Sequence, residues 1–468
     1  MKKKTAFMLT GVIAISLLAG CGSNSDTGTT VSSSAAPVET TAAPTAEVSN
    51  SESSTETDTA STQTETADSN GMIDDSVSGT LEVYGWTTDP EYQIAAFEKA
   101  YPNVTVNYTQ IGTDYDVKMQ TLVQNETDGP DVFYSDVKNV KLYINLGAWD
   151  NLSADPYNAD TSDMEDYTVS LGSDDDGNLR AMSYQATPGG FWYKRDLAKK
   201  YLGTDDPDEI SQMMSTVNGM PDVAEKIKTG SNDQTHMFAS NNDLWQFANY
   251  GIRKTAWVDA DNNFVMDDYI PEYFDLAKKV RDNDYDAGLD AWSDAWYASC
   301  ADDSVFGYAE PTWGLQYVIM TGAPDSKGNW GLASLPASYF NGGSYLGIYT
   351  QAKNKDLAWL YIQFVCGNHE YLKQYVTDKG DFTNSKTVNQ EVAADYAEPW
   401  CNGQNTFAFF EDQISKINTS IVTQYDDQIG NLMLNNVKLY ITGEADKDTA
   451  IQQFKDDVAT NYRGLNVQ

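Results

Sequence analysis

Apolar and polar positions follow a regular pattern in the part of the chain that comes after a long polar stretch. Residues 81–86 and 104–108 alternate between apolar and polar side chains, and residues 131–134 are mainly apolar behind an Asp-Gly-Pro turn, so each run predicts a strand. Between these runs, residues 89–100 and 115–124 place apolar side chains at helical spacing. The order strand, helix, strand, helix, strand predicts an open α/β sheet with parallel strands.

The ends of two predicted strands supply the first candidate site. In an open α/β sheet, a ligand lies beyond the carboxyl ends of the strands. Trp86, Thr87 and Asp89 follow the first strand, and Asp136 follows the third. We therefore expect these four residues to line one crevice, with core packing as the alternative for Trp86.

The chain begins with the pattern of a secretory signal peptide. Three lysines at positions 2–4 precede an apolar stretch from Ala6 to Leu18, which is shorter than a membrane-spanning helix requires. The Leu-Ala-Gly-Cys sequence that ends at Cys21 looks like a lipobox. It predicts a lipoprotein signal peptide over residues 1–20 and a lipid on Cys21, with a plain secretory signal as the alternative.

Residues 21–76 have almost no large apolar side chains of the kind that a folded core needs. They are rich in Ser, Thr, Ala and Pro, and residues 22–76 hold ten acidic residues and no Lys or Arg. Repulsion between these charges predicts a disordered, extended tether; a mucin-like stalk and a cleavable pro-segment are the alternatives. A lipid anchor with a long tether predicts a domain on the outer face of the cell membrane, and suits a Gram-positive-like cell.

Charge and composition narrow the range of partners and cofactors. The formal net charge of the 468-residue chain is −39, which disfavours nucleic acid as a partner. Cys300, Cys366 and Cys401 lack the short spacing of zinc or redox motifs, and buried free thiols are favoured over one disulfide. The chain also has only two histidines, which argues against a His-rich metal site, and we expect no metal and no cofactor.

Two acidic turns resemble calcium-binding loops only in part. Residues 174–178, Asp-Asp-Asp-Gly-Asn, fit the turn of a hairpin. Asp259, Asp261 and Asn263 begin like an EF-hand loop, but Phe264 stands where such a loop requires glycine. Neither turn is therefore predicted to bind calcium.

Several segments, taken in order, resemble one protein family. They are residues 86–101, 103–106, 129–133, 146–152, 177–182, 191–197, 308–315, 329–336 and 353–376. Together they resemble the family 1 extracellular solute-binding proteins, the sugar-binding subunits of ABC importers that are organised like maltodextrin-binding protein. No single segment is specific, but their order and spacing cover nearly the whole chain beyond the tether.

The resemblance implies a two-lobed α/β fold of the type II periplasmic-binding-protein kind. Each lobe would hold a mostly parallel sheet flanked by helices, with the ligand cleft between the lobes. The implied N-terminal lobe comprises residues 77–185 and 337–385, and the C-terminal lobe comprises 186–336 and 386–468. The implied function is the capture of a carbohydrate, in particular an oligosaccharide, by a monomer that delivers it to ABC permease subunits without catalysis.

Aromatic rings and carboxylates or amides are the side chains that recognise sugars, because rings stack on C–H faces and polar groups bind hydroxyls. The resemblance puts a ligand cluster of the second lobe at Asn242, Asp243 and Trp245, and the same chemistry points to Glu310, Trp313 and Tyr345 as further ligand-binding residues. Trp313 is the residue expected to stack on a sugar ring. Tyr345 follows a Gly-Gly pair, and an ordinary turn is its alternative role.

Three questions stay open from the sequence alone. The first is whether a group of four residues forms a further site or belongs to the core: Asp290, Trp292, Asp294 and Trp296. The second is which ring of the run Phe407 to Phe410 faces the cleft. The third is the sugar, because Thr187 stands where maltodextrin-binding protein has an acidic ligand-binding residue, which disfavours a maltodextrin.

Other functions are compatible with the same residues. An exported glycoside hydrolase would need two carboxylates in the cleft, for which Asp243 and Glu310 are the candidates. A surface sensor or adhesin would bind sugar without transport. The same fold would also suit a non-sugar solute such as a polyamine or a peptide.

Overall fold

The structure, a computed structural model, describes residues 74–468. The predicted signal peptide, Cys21 and residues 22–73 of the predicted tether lie outside the described residues. Within the described range, no helix has both the length and the apolar character needed to cross a membrane.

The strands of the described residues form two separate sheets. They are β1 (Ser78–Gly85), β2 (Asn103–Gln110), β3 (Val132–Asp136), β4 (Met182–Ser183), β5 (Gly189–Lys194), β6 (His236–Phe238), β7 (Val305–Pro311), β8 (Trp330–Ala333) and β9 (Ser344–Ile348). The first sheet has the order β2-β1-β3-β9-β4, and the second has the order β6-β7-β5-β8. The parts of the chain built on these sheets are called the first lobe and the second lobe below.

Both sheets are mixed, which corrects the expectation of mostly parallel strands. In the first sheet β1 pairs in parallel with β2 and β3, as predicted, whereas β9 runs antiparallel to β3 and β4. In the second sheet β6 is parallel to β7, but β5 is antiparallel to both β7 and β8. The chain enters β5 and β9 directly from the other lobe. These strands therefore do not follow a crossover connection within one sheet, which is the connection that makes consecutive strands parallel.

The helices lie between and after these strands. They are α1 (Asp89–Ala100), α2 (Tyr115–Gln124), α3 (Val137–Asn145), α4 (Asp166–Gly172), α5 (Arg195–Leu202), α6 (Pro207–Met213), α7 (Gly219–Ser231), α8 (Asn242–Phe247), α9 (Tyr269–Asp282), α10 (Asp294–Ala301), α11 (Met320–Gly322), α12 (Lys355–Gly367), α13 (His369–Lys379), α14 (Lys386–Ala393), α15 (Thr406–Ile414), α16 (Asp426–Thr442) and α17 (Lys447–Asn461). Two short π-helical turns, Ala248–Ile252 and Leu315–Ile319, and a 3-10 turn, Pro399–Cys401, complete the set.

The predicted elements at the start of the first lobe are confirmed. α1 places Pro90 in its first turn, where the missing N–H of proline has no helical partner to lose. It buries Phe97, whose ring meets the edge of Tyr361 with a centroid distance of 5.1 Å. α2 covers the predicted residues. β1 ends at Gly85, so Trp86 lies just beyond the strand.

The chain passes between the two sheets three times. The first crossing, residues 184–188, joins β4 to β5, and the second, residues 334–343, joins β8 to β9. The hydroxyl of Thr187 donates a 2.9 Å hydrogen bond to the carbonyl oxygen of Gly342, which ties these two crossings together. The third lies between α14 and α15, and α15 packs against β5 of the second sheet. The lobe boundaries implied by the family resemblance stay a prediction.

A buried ion pair lies in the second lobe. Arg253 and Asp426 are in direct contact and both are almost fully buried. Arg253 also donates to the carbonyl oxygens of Asn249 and Thr255, and Asp426 accepts from the backbone N–H and the hydroxyl of Thr423. The pair therefore joins the first π-helical turn to the start of α16.

The three cysteines within the described range are free and buried, as predicted. Cys300 lies in α10 of the second lobe, Cys366 in α12 beside the first sheet, and Cys401 in the third crossing. Burial raises the pKa of the Cys300 thiol to about 11 and holds the pKa values of Cys366 and Cys401 well above their usual range. The thiols are therefore protonated and poorly reactive in the folded protein.

Candidate functional site

The carboxyl end of β7 carries Glu310, a buried acidic side chain of the second lobe. β7 lies between β5 and β6 and is buried throughout, so Glu310, its penultimate residue, is only 8% exposed. Within residues 74–468, no protein group donates a hydrogen bond to its side chain. Burial raises the pKa of Glu310 well above its usual range, and the nearby carboxylate of Asp243 adds to the effect. The raised pKa favours the neutral, protonated acid, and a buried acid without a protein partner is suited to exchange hydrogen bonds with a ligand.

The ring of Trp313 is fixed beside the end of the same strand. Its Nε1 donates a 3.1 Å hydrogen bond to the carbonyl oxygen of Asn341 in the second crossing. Gly342 adopts a φ of +69°, and a Cβ atom there would lie 3.0 Å from Nε1 of Trp313. The half-buried indole therefore meets the crossing with its edge, which holds the plane of the ring in one orientation. Two predicted site residues, Glu310 and Trp313, are thus brought together at the base of the second lobe.

Trp292 extends the aromatic surface around Trp313. The two indoles are stacked with a centroid distance of 5.8 Å and an interplanar angle of 28°. Trp292 is 54% exposed and has a φ of +68°, whereas Trp296 is 1% exposed and belongs to the core. α10 begins only at Asp294, so Trp292 lies outside the helix and the two tryptophans do not share a helix face.

Tyr317 connects the second lobe to the predicted residues of the first. It lies in the second π-helical turn, and its hydroxyl donates a 2.9 Å hydrogen bond to Oδ1 of Asp89. Thr87 donates to the other oxygen of Asp89 at 3.3 Å. Trp86 is half-buried and tilts against Tyr115 with a centroid distance of 5.5 Å. Asp89 therefore lies where the two lobes meet, and that Trp86, Thr87, Asp89 and Asp136 line one ligand crevice stays a prediction.

Asp136 lies at a second place where the lobes approach each other. It caps α3, and its Oδ1 accepts a 3.0 Å hydrogen bond from the backbone N–H of Lys138. Burial raises the pKa of Asp136, and the charge of Asp427 on α16 contributes in the same direction. α3 packs against α16 here. Asp136 therefore lies near α16 of the second lobe, whereas Asp89 contacts Tyr317 of that lobe.

The predicted residues of α8 are mostly internal to the second lobe. Asn242 is the first residue of this helix. Asp243 is buried and accepts a 2.8 Å hydrogen bond from the backbone N–H of Ser240; burial raises the pKa of Asp243 to about 7. Trp245 is 5% exposed and packs against Tyr273 with a centroid distance of 5.3 Å. Of these residues, Asp243 affects the candidate site because its charge raises the pKa of Glu310, whereas Trp245 packs in the core.

Tyr345 lies in the middle of the first sheet. It is 2% exposed and pairs with Ser135 of β3 and Ser183 of β4. Its hydroxyl donates a 3.2 Å hydrogen bond to the carbonyl oxygen of Thr168 on α4. In this structure Tyr345 is therefore a core residue of the first lobe, in contrast to the predicted ligand contact.

The run Phe407 to Phe410 provides one ring near the site. Phe407 and Phe410 are buried, whereas Phe409 is half-buried. Phe409 lies over Gly190, where an added Cβ would approach its ring to 3.0 Å, and Gly190 pairs with Glu310. Phe409 is thus the ring of this run that lies beside the strand end.

The two acidic turns are ordinary polar turns. Oδ1 of Asp174 accepts a 2.8 Å hydrogen bond from the N–H of Asn178, and Oδ1 of Asp259 accepts a bond of the same length from the N–H of Asn263. Across the described part of the chain, no group of three His, Cys, Asp or Glu residues is arranged to hold a metal ion. Local backbone hydrogen bonds account for the acidic residues that open both turns.

Comparison with known proteins identifies the family. A family model described as bacterial extracellular solute-binding protein matches residues 93–401. A solved family 1 extracellular solute-binding protein is 19% identical, with a TM-score of 0.73 over 82% of this chain and 99% of that chain. The GacH receptor of Streptomyces glaucescens is 18% identical, with a TM-score of 0.67 over 83% and 100%. The ABC transporter associated binding protein from B. animalis subsp. lactis is 17% identical, with a TM-score of 0.67 over 83% and 99%.

These findings agree with the sequence resemblance at two levels. The solved structures share the two-lobed α/β fold, and the family model covers most of the chain, including the first and second crossings and the end of β7. The family that the ordered segments indicated is thereby confirmed. The chain belongs to the bacterial extracellular solute-binding proteins.

Proposed function

We propose that this protein captures an oligosaccharide outside the cell and delivers it, as a monomer, to the permease subunits of an ABC importer. The observation that carries the proposal is the pairing of Trp313, a ring held on its edge, with Glu310, a buried carboxylate without a protein hydrogen-bond donor. Both lie at the carboxyl end of β7 and next to the second crossing. Asp89 and Trp86 belong to the facing part of the first lobe.

The chemistry of this pairing suits a sugar. A pyranose ring presents C–H groups that stack on an indole, and its hydroxyls donate hydrogen bonds to a carboxylate. An ordinary hydrogen bond contributes about 0.5–1.5 kcal/mol, and a buried polar group left without a partner costs about 1–3 kcal/mol. Glu310 would therefore favour ligands that place hydroxyl donors at its position and disfavour ligands that do not.

Known relatives of the same fold support a carbohydrate. The GacH receptor was solved in complex with acarbose, and the B. animalis protein in complex with β-1,6-galactobiose. A galacto-N-biose and lacto-N-biose I-binding protein from Bifidobacterium longum, with a TM-score of 0.65, was solved with lacto-N-biose. The ligands of these proteins differ, so the fold supports the class of ligand and leaves the individual sugar to experiment.

Isothermal titration calorimetry with a panel of mono- and oligosaccharides tests the proposal. We expect at least one oligosaccharide to bind, and Glu310→Gln to weaken its binding by about two- to tenfold, because the amide changes which hydrogen bonds this buried group can donate and accept. Glu165→Gln is the matched control, since Glu165 is a buried acid of the first lobe whose Oε1 already accepts from Asn389. Binding of a polyamine or peptide with no response to any sugar would overturn the proposal.

Whether the protein catalyses hydrolysis is tested by analysing the oligosaccharide after incubation with the protein. Glycoside hydrolysis requires two carboxylates on opposite sides of the scissile bond. Asp243 is held by backbone N–H groups, and the family to which the chain belongs binds solutes. We expect the bound oligosaccharide to be recovered intact after incubation with the protein. Shorter products that disappear in Glu310→Gln would establish a hydrolase instead.

We infer that the protein is held on the outer face of the cell membrane by a lipid on Cys21. The three N-terminal lysines, the short apolar stretch and the Leu-Ala-Gly-Cys sequence support this anchor. In cells given a labelled fatty acid, we expect label on the wild type and on Cys300→Ser, and none on Cys21→Ser. Retention of Cys21→Ser in the washed membrane fraction would argue against the lipid anchor.

A further inference from the structure

We propose that Trp292 and Trp313 together form a two-ring platform that binds consecutive sugar rings of an oligosaccharide, with Trp292 as the outer subsite. This inference rests on the proposed function and concerns ligand length. Trp313 is half-buried at the end of β7, beside Glu310, whereas Trp292 is 54% exposed. A ligand seated on Glu310 and Trp313 would therefore reach Trp292 only with a further ring.

The geometry of the two indoles leaves ring surface for a ligand. An interplanar angle of 28° with centroids 5.8 Å apart describes an offset stack, since fully overlapping rings would be closer. Each indole consequently covers only part of its neighbour. Tyr297 meets the edge of Trp292 with a centroid distance of 6.2 Å and an angle of 67°, which supports the ring from its side.

The backbone at Trp292 is held in an unfavourable conformation. A φ of +68° is rare for a bulky side chain. Ser293 explains part of this conformation, because its hydroxyl caps α10 by accepting from the N–H of Trp296 at 3.2 Å. The cap fixes where the helix begins, but it does not require an aromatic residue before it. An exposed indole at this position is better explained by contact with a ligand than by burial.

Two further exposed apolar side chains belong to elements that α10 packs against. Tyr317 and Met320 follow Trp313 in the second π-helical turn and α11, and both are exposed. α10 packs against both of these elements. Asp290 and Asp294 flank Trp292, and within the described chain no group donates a hydrogen bond to either carboxylate. The surface thus combines ring faces with free acceptors, which is the chemistry that a sugar chain requires.

Calorimetry with matched saccharide series tests the outer subsite. The probes are di- to hexasaccharides of the cello, xylo, malto and β-galacto series. We expect Trp292→Ala to weaken binding of the longer members by about three- to tenfold and to leave the shortest binding member unchanged. Trp313→Ala should weaken binding of every length. Trp292→Tyr, which keeps a ring, should restore most of the affinity for long chains.

The outcomes separate this inference from the proposed function. If the wild type binds sugars and Trp313→Ala weakens them, but Trp292→Ala has the same affinity as the wild type at every length, the outer subsite is wrong while the proposed function stands. If Trp292→Ala binds all lengths more tightly, Trp292 covers the site instead of extending it, which also overturns the inference. If no member binds the wild type, the proposed function fails. Thermal unfolding of Trp292→Ala and Trp292→Tyr checks that both variants are folded.

Discussion

The hydroxyl of Tyr317 donates a 2.9 Å hydrogen bond to Oδ1 of Asp89, although 228 positions separate these residues in the sequence. Asp89 opens the first helix of the first lobe, and Tyr317 belongs to a π-helical turn of the second. Tyr317 is exposed, so the bond forms at the surface of the cleft. It joins the lobes directly and can form only when they are close together.

Tyr317→Phe should therefore shift the balance between closed and open arrangements. A ligand that prefers the closed state gains affinity from any contact made only in that state. We expect the variant to bind its ligand about two- to tenfold more weakly, because an exposed hydrogen bond contributes about 0.5–1.5 kcal/mol. In small-angle scattering with ligand, Tyr317→Phe should show a larger radius of gyration than the wild type at equal saturation of the site.

The control for this variant is Tyr92→Phe. The hydroxyl of Tyr92 donates a 2.6 Å hydrogen bond to Asp378, but α1 and α13 both belong to the first lobe. This variant removes a Tyr–Asp bond of the same kind without touching the lobe contact. Equal loss of affinity in Tyr92→Phe and Tyr317→Phe would contradict the role of the contact between lobes.

Trp313→Ala should weaken sugar binding by at least about tenfold and leave the fold intact. The indole is half-buried, so the expected loss of unfolding free energy is smaller than the roughly 3–5 kcal/mol of a fully buried tryptophan. Calorimetry gives the affinity, and urea unfolding gives the stability. Trp359→Ala is the matched control, because Trp359 is a half-buried tryptophan of α12 that packs on Tyr157 in the first lobe.

Asp243→Asn should change how stability depends on pH. Burial raises the pKa of Asp243 from its ordinary value of 3.8 to about 7, so the folded state binds this proton more tightly than the unfolded state does. The free energy of unfolding therefore falls as the pH rises through this interval. Relative to Asp243→Asn, we expect the wild type to lose roughly 2–4 kcal/mol between these two pH values in urea unfolding. Parallel curves for the two proteins would exclude Asp243 as the titrating group.

Arg253→Met should destabilise the second lobe strongly. It leaves Asp426 buried without its cationic partner, and breaking a buried pair in this way costs about 3–5 kcal/mol. Arg180→Met is the comparison, since the 2.8 Å pair of Arg180 with Asp174 is partly exposed and should contribute at most about 1 kcal/mol. Urea unfolding at neutral pH measures both. Similar losses in the two variants would mean that burial of the Arg253 pair has little energetic effect.

Local sequence patterns predicted the parts of the fold that local forces determine. The helix over residues 115–124 follows from its apolar spacing alone, and Glu310 and Trp313 are close because they lie three positions apart at one strand end. The direction of β9 and the contact of Tyr317 with Asp89 depend on how distant segments meet. A local sequence pattern does not predict such contacts between distant segments.

Two predicted roles failed or changed for reasons of orientation. Alternation along β9 places Tyr345 on one of two faces, but it does not say which face is covered by α4. Trp292 and Trp296 have helical spacing, yet Ser293 caps the helix after the first of them. The serine before an acidic first turn was the signal that could have separated the two tryptophans.

The reactivity of the three buried thiols can be used to measure local unfolding of the protein. Cys300, Cys366 and Cys401 sit in the second lobe, beside the first sheet and in the third crossing, so each becomes reactive only when a different region opens. Labelling with a thiol reagent, followed by mass spectrometry of the peptides, would rank the opening rates of these regions in a single experiment on the natural sequence. Added sugar should slow the labelling of those regions that the ligand holds closed, and leave the others unchanged.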